Sequence, residues 1–358
     1  MTTYTTIYAL PAPALAAAPN VPSDISALAT ATEAALTTVS DTVGVNNLLI
    51  NGQFAIDQRA ASPATFTTAA TGFICDRWKG TSGTGATNIF TRTAITAWTF
   101  AGAPQYKMAL NRSVAGSSTS YMHQRIEGVR TGAGQSVTIS FNAAVASSTS
   151  DITATVVQCF GTGGSPSADV TTVGATTVTV DTSTTTRRSF TISVPSISGK
   201  TLGSNGDDYL EVRINRASGT GTGTIDFWNM QVVVGTVAPT YTARPFAQEL
   251  AMCQRYCYAP PSTGYQVRAD AGGGATTIRG WFTFPVPMRI APTATFPASG
   301  TYTVEYALVT SGTSTAVPTG AASDTTCCTF NQAGFTGMAN CKGYYLGMPA
   351  GLYVSAEL

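Results

Sequence analysis

Ser136-Val-Thr-Ile-Ser-Phe-Asn-Ala, residues 136–143, sets Val137, Ile139, Phe141 and Ala143 on one side of an extended chain and Ser136, Thr138, Ser140 and Asn142 on the other. A period of two belongs to a β-strand, whose successive side chains point to opposite faces. The same alternation returns at Ile152-Thr-Ala-Thr-Val-Val, from Thr176 to Val180, from Ser189 to Val194, at Tyr209-Leu-Glu-Val-Arg-Ile-Asn and at Ile225-Asp-Phe-Trp-Asn-Met-Gln-Val-Val-Val. Turns such as Gly161-Thr-Gly-Gly and Ser218-Gly-Thr-Gly-Thr-Gly separate these runs. Many short strands with glycine-rich turns predict a jelly-roll sandwich over residues 45–245.

A hinge with a short helix is expected between Pro245 and Tyr258. Strand patterns resume at Thr276–Phe284, Thr293–Phe296, Tyr302–Val309, Thr325–Phe330 and Tyr353–Leu358, so residues 246–358 read as the hinge and a smaller C-terminal β-sandwich. No repeat of fixed period is present, which speaks against a β-helix or a propeller. The fold class expected is mainly β.

The 358 residues are 43% hydrophobic and only 10% charged, against about 25% charged in an average soluble chain. Thr, Ser, Gly and Ala take the place of charge, and β-branched Thr suits a pleated surface. A net charge of +1 does not favour a nucleic-acid partner, which needs clustered cations, and none is expected. Four of the nineteen basic residues are Lys (Lys79, Lys107, Lys200 and Lys342) and the rest are Arg, the better partner for planar carboxylates and aromatic rings. No apolar run approaches the roughly 20 residues of a membrane span. The opening residues show no basic start followed by an apolar core, so synthesis in a cytoplasm without membrane insertion is expected. The seven cysteines are odd in number and irregularly spaced, which predicts free thiols and no disulfide framework.

Residues 1–22, rich in Thr, Ala and Pro, make no core of their own and gain order only by lying on another surface. Residues 23–43 read as a helix with Ser23 at the N-cap and Gly44 as its stop, so residues 1–44 form an anchor segment with a short coiled-coil helix. Ile25, Leu28, Thr32, Ala35 and Val39 follow the alternating three-and-four spacing of a coiled-coil seam. Thr32 is a flaw in it, because a buried hydroxyl needs a partner. Self-association into a homotrimer through Ile25, Leu28, Ala35 and Val39 is expected.

Four motifs resemble phage tail-fibre and related minor tail proteins. Asn47-Leu-Leu-Ile-Asn-Gly-Gln-Phe-Ala-Ile-Asp-Gln-Arg with Asp76-Arg77-Trp78 resembles the opening of a carbohydrate-binding-module-like jelly roll. Ile225-Asp-Phe-Trp-Asn-Met-Gln-Val-Val-Val-Gly resembles its close. Arg244-Pro-Phe-Ala-Gln-Glu-Leu-Ala-Met-Cys-Gln-Arg-Tyr is similar to the hinge of such fibres. Phe284-Pro-Val-Pro-Met-Arg-Ile-Ala-Pro-Thr-Ala-Thr and the final Ala356-Glu-Leu complete the series. Two positions depart from the pattern. Cys257 stands where a second Tyr is usual, and Ala55 stands where Glu is frequent, which removes a carboxylate from the calcium site some carbohydrate modules have at this edge. The resemblance implies a virion fibre attached through residues 1–22 to a tail or adaptor protein, with a host-surface glycan or protein as its other partner.

Catalytic chemistry finds little support. His123 is the only histidine, and no Gly-x-Ser-x-Gly elbow supplies a nucleophile. Cys253 and Cys257 stand four apart, yet no Cys-x2-Cys pair suggests zinc, and no phosphate or dinucleotide loop is present. No metal and no cofactor are expected. Glycan cleavage needs two carboxylates about the bond, with Glu127, Asp207, Asp208, Glu211 and Asp226 as candidates. Sugar binding needs only aromatic faces and hydrogen-bonding side chains. Trp78, Arg77, Trp98, Tyr121, Trp228, Tyr265 and Trp281 are the candidates, Trp228 because a regular strand would turn it away from Ile225 and Phe227. The expectation is a non-enzymatic structural fibre protein of a virion that recognises a host glycan. A capsid-bound head fibre and a tailspike depolymerase are the alternatives.

Overall fold

The structure is a computed structural model. It describes residues 3–4, 11–12, 23, 25–32, 47–96, 104–146, 149–183, 186–219, 221–260, 266–270, 276–297, 301–306, 309–335, 338, 343–349 and 351–358. Trp98, Tyr265, Ala35, Val39, Cys341 and most of the expected anchor lie outside them.

Two short strands, β1 (Thr3–Tyr4) and β2 (Pro11–Ala12), pair antiparallel, and residues 25–32 form helix α1. The strands of the first sandwich follow: β3 (Ala64–Thr67), β4 (Thr71–Cys75), β5 (Trp78–Thr81), β6 (Thr87–Ala94), β7 (Tyr106–Val114), β8 (Ser120–Glu127), β9 (Ser136–Val145), β10 (Ser150–Cys159), β11 (Val170–Val173), β12 (Val178–Val180), β13 (Arg187–Ser193), β14 (Tyr209–Arg216) and β15 (Gly223–Val234). One sheet runs β11-β10-β14-β8-β5-β4, with β12 also on β10, and the other runs β13-β9-β15-β7-β6-β3. The chain steps from sheet to sheet between β7, β8, β9 and β10, so β8 and β9 pair only with strands distant in sequence. This is a jelly-roll β-sandwich, as the alternation predicts.

Its core fills from both inner faces. Val137, Ile139, Phe141 and Ala143 of β9 meet Leu210, Val212 and Ile214 of β14 within one buried cluster. The polar alternates Thr138, Ser140 and Asn142 of β9 are buried too, which simple alternation does not anticipate. Arg187 of β13 closes over that outer side, donating to Ser140 Oγ at 2.6 Å, Gln231 Oε1 at 2.8 Å and Asn229 O at 3.0 Å. Thr138 Oγ1 donates to Gly235 O at 2.8 Å.

Helix α2 (Phe246–Gln254) opens the second unit, where a short helix is expected. Its strands are β16 (Cys257–Tyr258), β17 (Gln266–Asp270), β18 (Thr277–Thr283), β19 (Thr293–Thr295), β20 (Tyr302–Tyr306), β21 (Val309–Ser314), β22 (Thr319–Ser323), β23 (Cys327–Ala333), β24 (Gly343–Gly347) and β25 (Tyr353–Ser355). They form a three-stranded sheet, β16-β25-β19, and a seven-stranded sheet, β21-β20-β24-β17-β18-β23-β22. Val267, Ile278, Tyr302, Val304, Phe330 and Leu346 anchor their shared core. At Gly280 an added Cβ would stand 2.5 Å from the Phe330 ring, so the ring's seat requires glycine. A third small cluster, Ile50, Ile56, Cys253 and Tyr256, packs α2 onto the first sandwich.

Candidate functional site

The motif cluster expected to offer a stacking surface forms a junction between the two sandwiches instead. Trp78 is 1% exposed, and its Nε1–H donates to Asn51 O at 3.0 Å. Arg77 does not pair with its neighbour Asp76. It binds the Glu357 carboxylate, and its guanidinium lies 3.4 Å from the centre of the Tyr256 ring. Arg59 Nη2 meets the other oxygen of Glu357 at 3.0 Å, and its guanidinium covers the Phe73 ring at 4.0 Å. All three charged side chains are buried. Burial alone would raise the Glu357 carboxyl, but Arg77 and Arg59 outweigh it and hold it below the usual carboxylate range. Around this centre Gln58 Nε2 donates to Asp76 Oδ2 at 2.6 Å and to Cys257 O at 2.7 Å. Arg289 Nε donates to Ala356 O at 3.1 Å. The opening, hinge and final motifs therefore meet at one place, and what they build is a lock.

Asp76 behaves differently from Glu357. Burial pushes its carboxyl up to about 6 despite Arg59 and the bonds from Gln58. A carboxyl whose folded pKa is raised holds a proton that the unfolded chain releases, so this contribution weakens as pH rises from about 4 to about 6. Asp76→Asn removes that dependence. The stability of the parent chain relative to D76N should therefore grow as pH falls from about 7 to about 5, which urea unfolding of both proteins across that window measures. An unchanged difference would place Asp76 ionised throughout.

Trp228 is also a correction. It turns away from Phe227 as expected, yet it is fully buried. A register break between Trp228 and Gln231 and a positive φ at Asn229 set it where Arg187 closes the outer side of the sheet. It offers no face to a ligand.

Two sheet faces carry aromatic and charged side chains together. On the first sandwich, Arg125 Nε and Arg213 Nε donate to the two oxygens of Glu211 at 2.8 and 2.5 Å, and His123 Nδ1 lies 3.1 Å from Oε2. Arg213 lies over Tyr121 at 4.7 Å and Arg125 over Tyr209 at 4.3 Å. Burial acts to raise the Glu211 carboxyl, but His123, Arg125 and Arg213 hold it well below the ordinary range. Burial pushes the His123 imidazole down, against the pull of Glu211. The central groups of this face already have partners within it.

The other face is open. On the seven-stranded sheet the register sets Glu305, Tyr345, Arg268, Trp281 and Thr329 side by side on five neighbouring strands. Their neighbours along each strand, among them Val304, Leu346, Val267, Phe282 and Cys328, are buried, so this row stands on the outer side. Tyr345 is 48% exposed, Arg268 is exposed and Trp281 is half-buried. One row along, Asp270, Arg279 and Asn331 stand in register, the last two exposed. At about 4.8 Å per strand, Tyr345 and Trp281 stand roughly 10 Å apart with Arg268 between them. Trp281 is among the residues the sequence singles out. Arg268 and Tyr345 are not, and the alternation of Val267-Arg-Ala-Asp and Gly343-Tyr-Tyr-Leu-Gly is the signal that carries them.

The five candidate acids are all engaged. Glu127 pairs with Arg255 at 3.2 Å and Asp226 with Lys107 at 2.5 Å. Asp208 accepts from Val129 N at 2.8 Å, and Asp207 accepts from Thr162 N at 2.7 Å. Hydrogen bonds from Thr162 hold Asp207 below its ordinary range. The six described cysteines are free. Among the described residues no group of three or more His, Cys, Asp or Glu is placed to hold a metal ion. No helix among them is long and apolar enough to cross a membrane. A groove of about 340 Å³ beside α2 is lined by Gln53, Tyr241, Phe246, Arg244 and Glu249, but its two charges pair at 3.1 Å.

No protein-family profile and no curated protein matches the chain. Solved structures do match. The CBM22-1 xylan-binding domain of Xyn10C from Paenibacillus barcinonensis is 11% identical over 55% of this chain and 98% of its own, with a TM-score of 0.32. A Stig cyclase, Fisc from Fischerella sp. TAU, is 11% identical over 55% of this chain and 100% of its own, with a TM-score of 0.33. The enzymatically active domain of bacteriophage CBA120 tailspike protein 4 is 14% identical over 53% of this chain and 21% of its own, with a TM-score of 0.29. Likenesses at these scores say nothing of function.

Proposed function

We propose that the chain is a non-enzymatic, homotrimeric fibre subunit of a phage virion. Residues 1–22 attach it, and the outer face of the second sandwich binds a host-surface glycan. The observation that carries the binding role is the row Tyr345, Arg268 and Trp281, with its rings and guanidinium on an open sheet face. Aromatic faces stack on the C–H faces of sugars, and Arg, Asn and Asp bond their hydroxyls. The fibre role is supported by the order of the four motifs and by the low charge of the chain. A non-enzymatic reading suits the five candidate acids, which are all engaged, since a general acid needs a raised pKa and Glu211 and Asp207 are lowered.

Helix α1 supports self-association. Ile25 and Leu28 stand 61% and 45% exposed in the single chain. The hydroxyl of Thr32 donates to Leu28 O at 2.8 Å, so this flaw in the seam is satisfied within the helix. Sedimentation should give three protomers, and a monomer at micromolar concentration would overturn the trimer.

Location in the virion tests the fibre role. Density for this chain should stand at the tail in cryo-EM, and a chain starting at Ser23 should fold but fail to join particles. Density on the capsid would favour a head fibre, and release of oligosaccharides from host polysaccharide would favour a depolymerase. Adsorption should be tested with Trp281→Ala and Tyr345→Ala. Deleting residues 259–358 is unsuitable, because it removes Glu357 and strands Arg59 and Arg77 in the first sandwich.

A further inference from the structure

We infer that Arg268 binds the carboxylate of an acidic sugar, so that the glycan taken by this face carries uronate- or sialate-type residues. The inference rests on the second sandwich being the glycan-binding unit and names the chemistry of its ligand.

Most arginines in this protein have settled partners, Arg130, Arg268 and Arg279 being the exceptions among the described residues. Arg59, Arg77, Arg92, Arg125, Arg187 and Arg213 each lie over an aromatic ring. Arg59, Arg77, Arg125, Arg188, Arg213, Arg244 and Arg255 each meet a carboxylate. Arg268 has Tyr345 and Trp281 as its register neighbours, yet among the described residues its guanidinium lies over neither ring, forms no ion pair and donates no hydrogen bond. The nearest acids by register are Asp270, two residues along its own strand, and Glu305, beyond Tyr345, and neither stands directly opposite it. Among the described residues its five N–H donors therefore have no partner, and it stands exposed between two rings.

That opening discriminates among sugars. A saccharide stacked across Tyr345 and Trp281 covers Arg268 and takes water from it. A neutral sugar returns only weak bonds for that desolvation. A sugar carboxylate returns a planar, charge-assisted pair that matches the guanidinium fork. Arg279 and Asn331, exposed one row along, extend the polar edge to the next residue of the chain.

The test uses the full-length protein on an immobilised panel of oligouronates, sialosides, phosphorylated oligosaccharides and neutral oligosaccharides. Its best acidic ligand is compared with the carboxyl-reduced form of the same oligosaccharide. Reduction should weaken binding about tenfold or more. Arg268→Gln should weaken the acid ligand equally and leave the reduced one unchanged, while Arg268→Lys should recover part of the loss. Trp281→Ala should weaken both ligands. Equal affinity before and after reduction, or a best ligand that is neutral or phosphorylated, overturns the carboxylate assignment and spares the glycan-binding reading so long as Trp281→Ala still weakens it. Binding untouched by both Trp281→Ala and Tyr345→Ala, or no binding anywhere on the panel, overturns the site itself.

Discussion

Replacing Glu357 with alanine should lower the unfolding free energy by about 3–5 kcal/mol, because it breaks a buried ion pair and leaves the partners behind. Arg77 then remains buried with no carboxylate and Arg59 keeps only Asp76, 3.8 Å away, and water cannot easily reach them beneath Phe73 and Tyr256. Glu357→Gln should cost less, since an amide oxygen still accepts from one guanidinium. Arg59 and Arg77 belong to the first sandwich and Glu357 follows the last strand of the second, so the loss should also uncouple the two. Urea unfolding of E357A should show an earlier transition, with the second sandwich separating from the first. A change below about 1 kcal/mol would mean the junction is as wet as a surface pair.

The sandwich was legible because its signal is local. Val137, Ile139 and Phe141 alternate within one strand, and so do Ile278, Gly280 and Phe282. The helix at Phe246–Gln254 was legible because Pro245 opens it and an apolar run follows. The meaning of Asp76-Arg77-Trp78 was not legible. Side by side they read as a charge pair with a stacking ring, but the partner of Arg77 lies 280 residues along the chain. No spacing rule reaches that far. The same distance problem hid the open face. Trp281 could be named from its type, whereas its neighbours Arg268 and Tyr345 come from strands β17 and β24, which only the sheet order brings together. Trp228 failed for a different reason. Alternation gave its direction correctly, but a bulge and the Arg187 side chain decide its exposure.

Trp78→Ala should be as costly as the loss of Glu357, about 3–5 kcal/mol, and Trp281→Ala should cost no more than about 1 kcal/mol. Both are tryptophans on strands of a β-sandwich, and sequence alone ranks them equally as sugar platforms. Trp78 lies in the first core with its ring centre 5.3 Å from that of Phe54. Removing it opens a cavity that the surrounding strands cannot close. It also takes the donor from Asn51 O, at a residue whose backbone φ of 60° depends on its surroundings. The Asn51 side chain donates to Ile56 O at 2.8 Å and Asp76 O at 2.9 Å, so strain at Asn51 passes directly to the junction. Trp281 stands on the outer face, and its truncation leaves the Phe282 and Phe330 core beneath it untouched. Denaturant titration of the two variants side by side, with circular dichroism to confirm folding, gives the comparison. A stable W78A beside an unfolded W281A would reverse which of the two rings is structural, and with it the choice of the second sandwich as the face that meets the host.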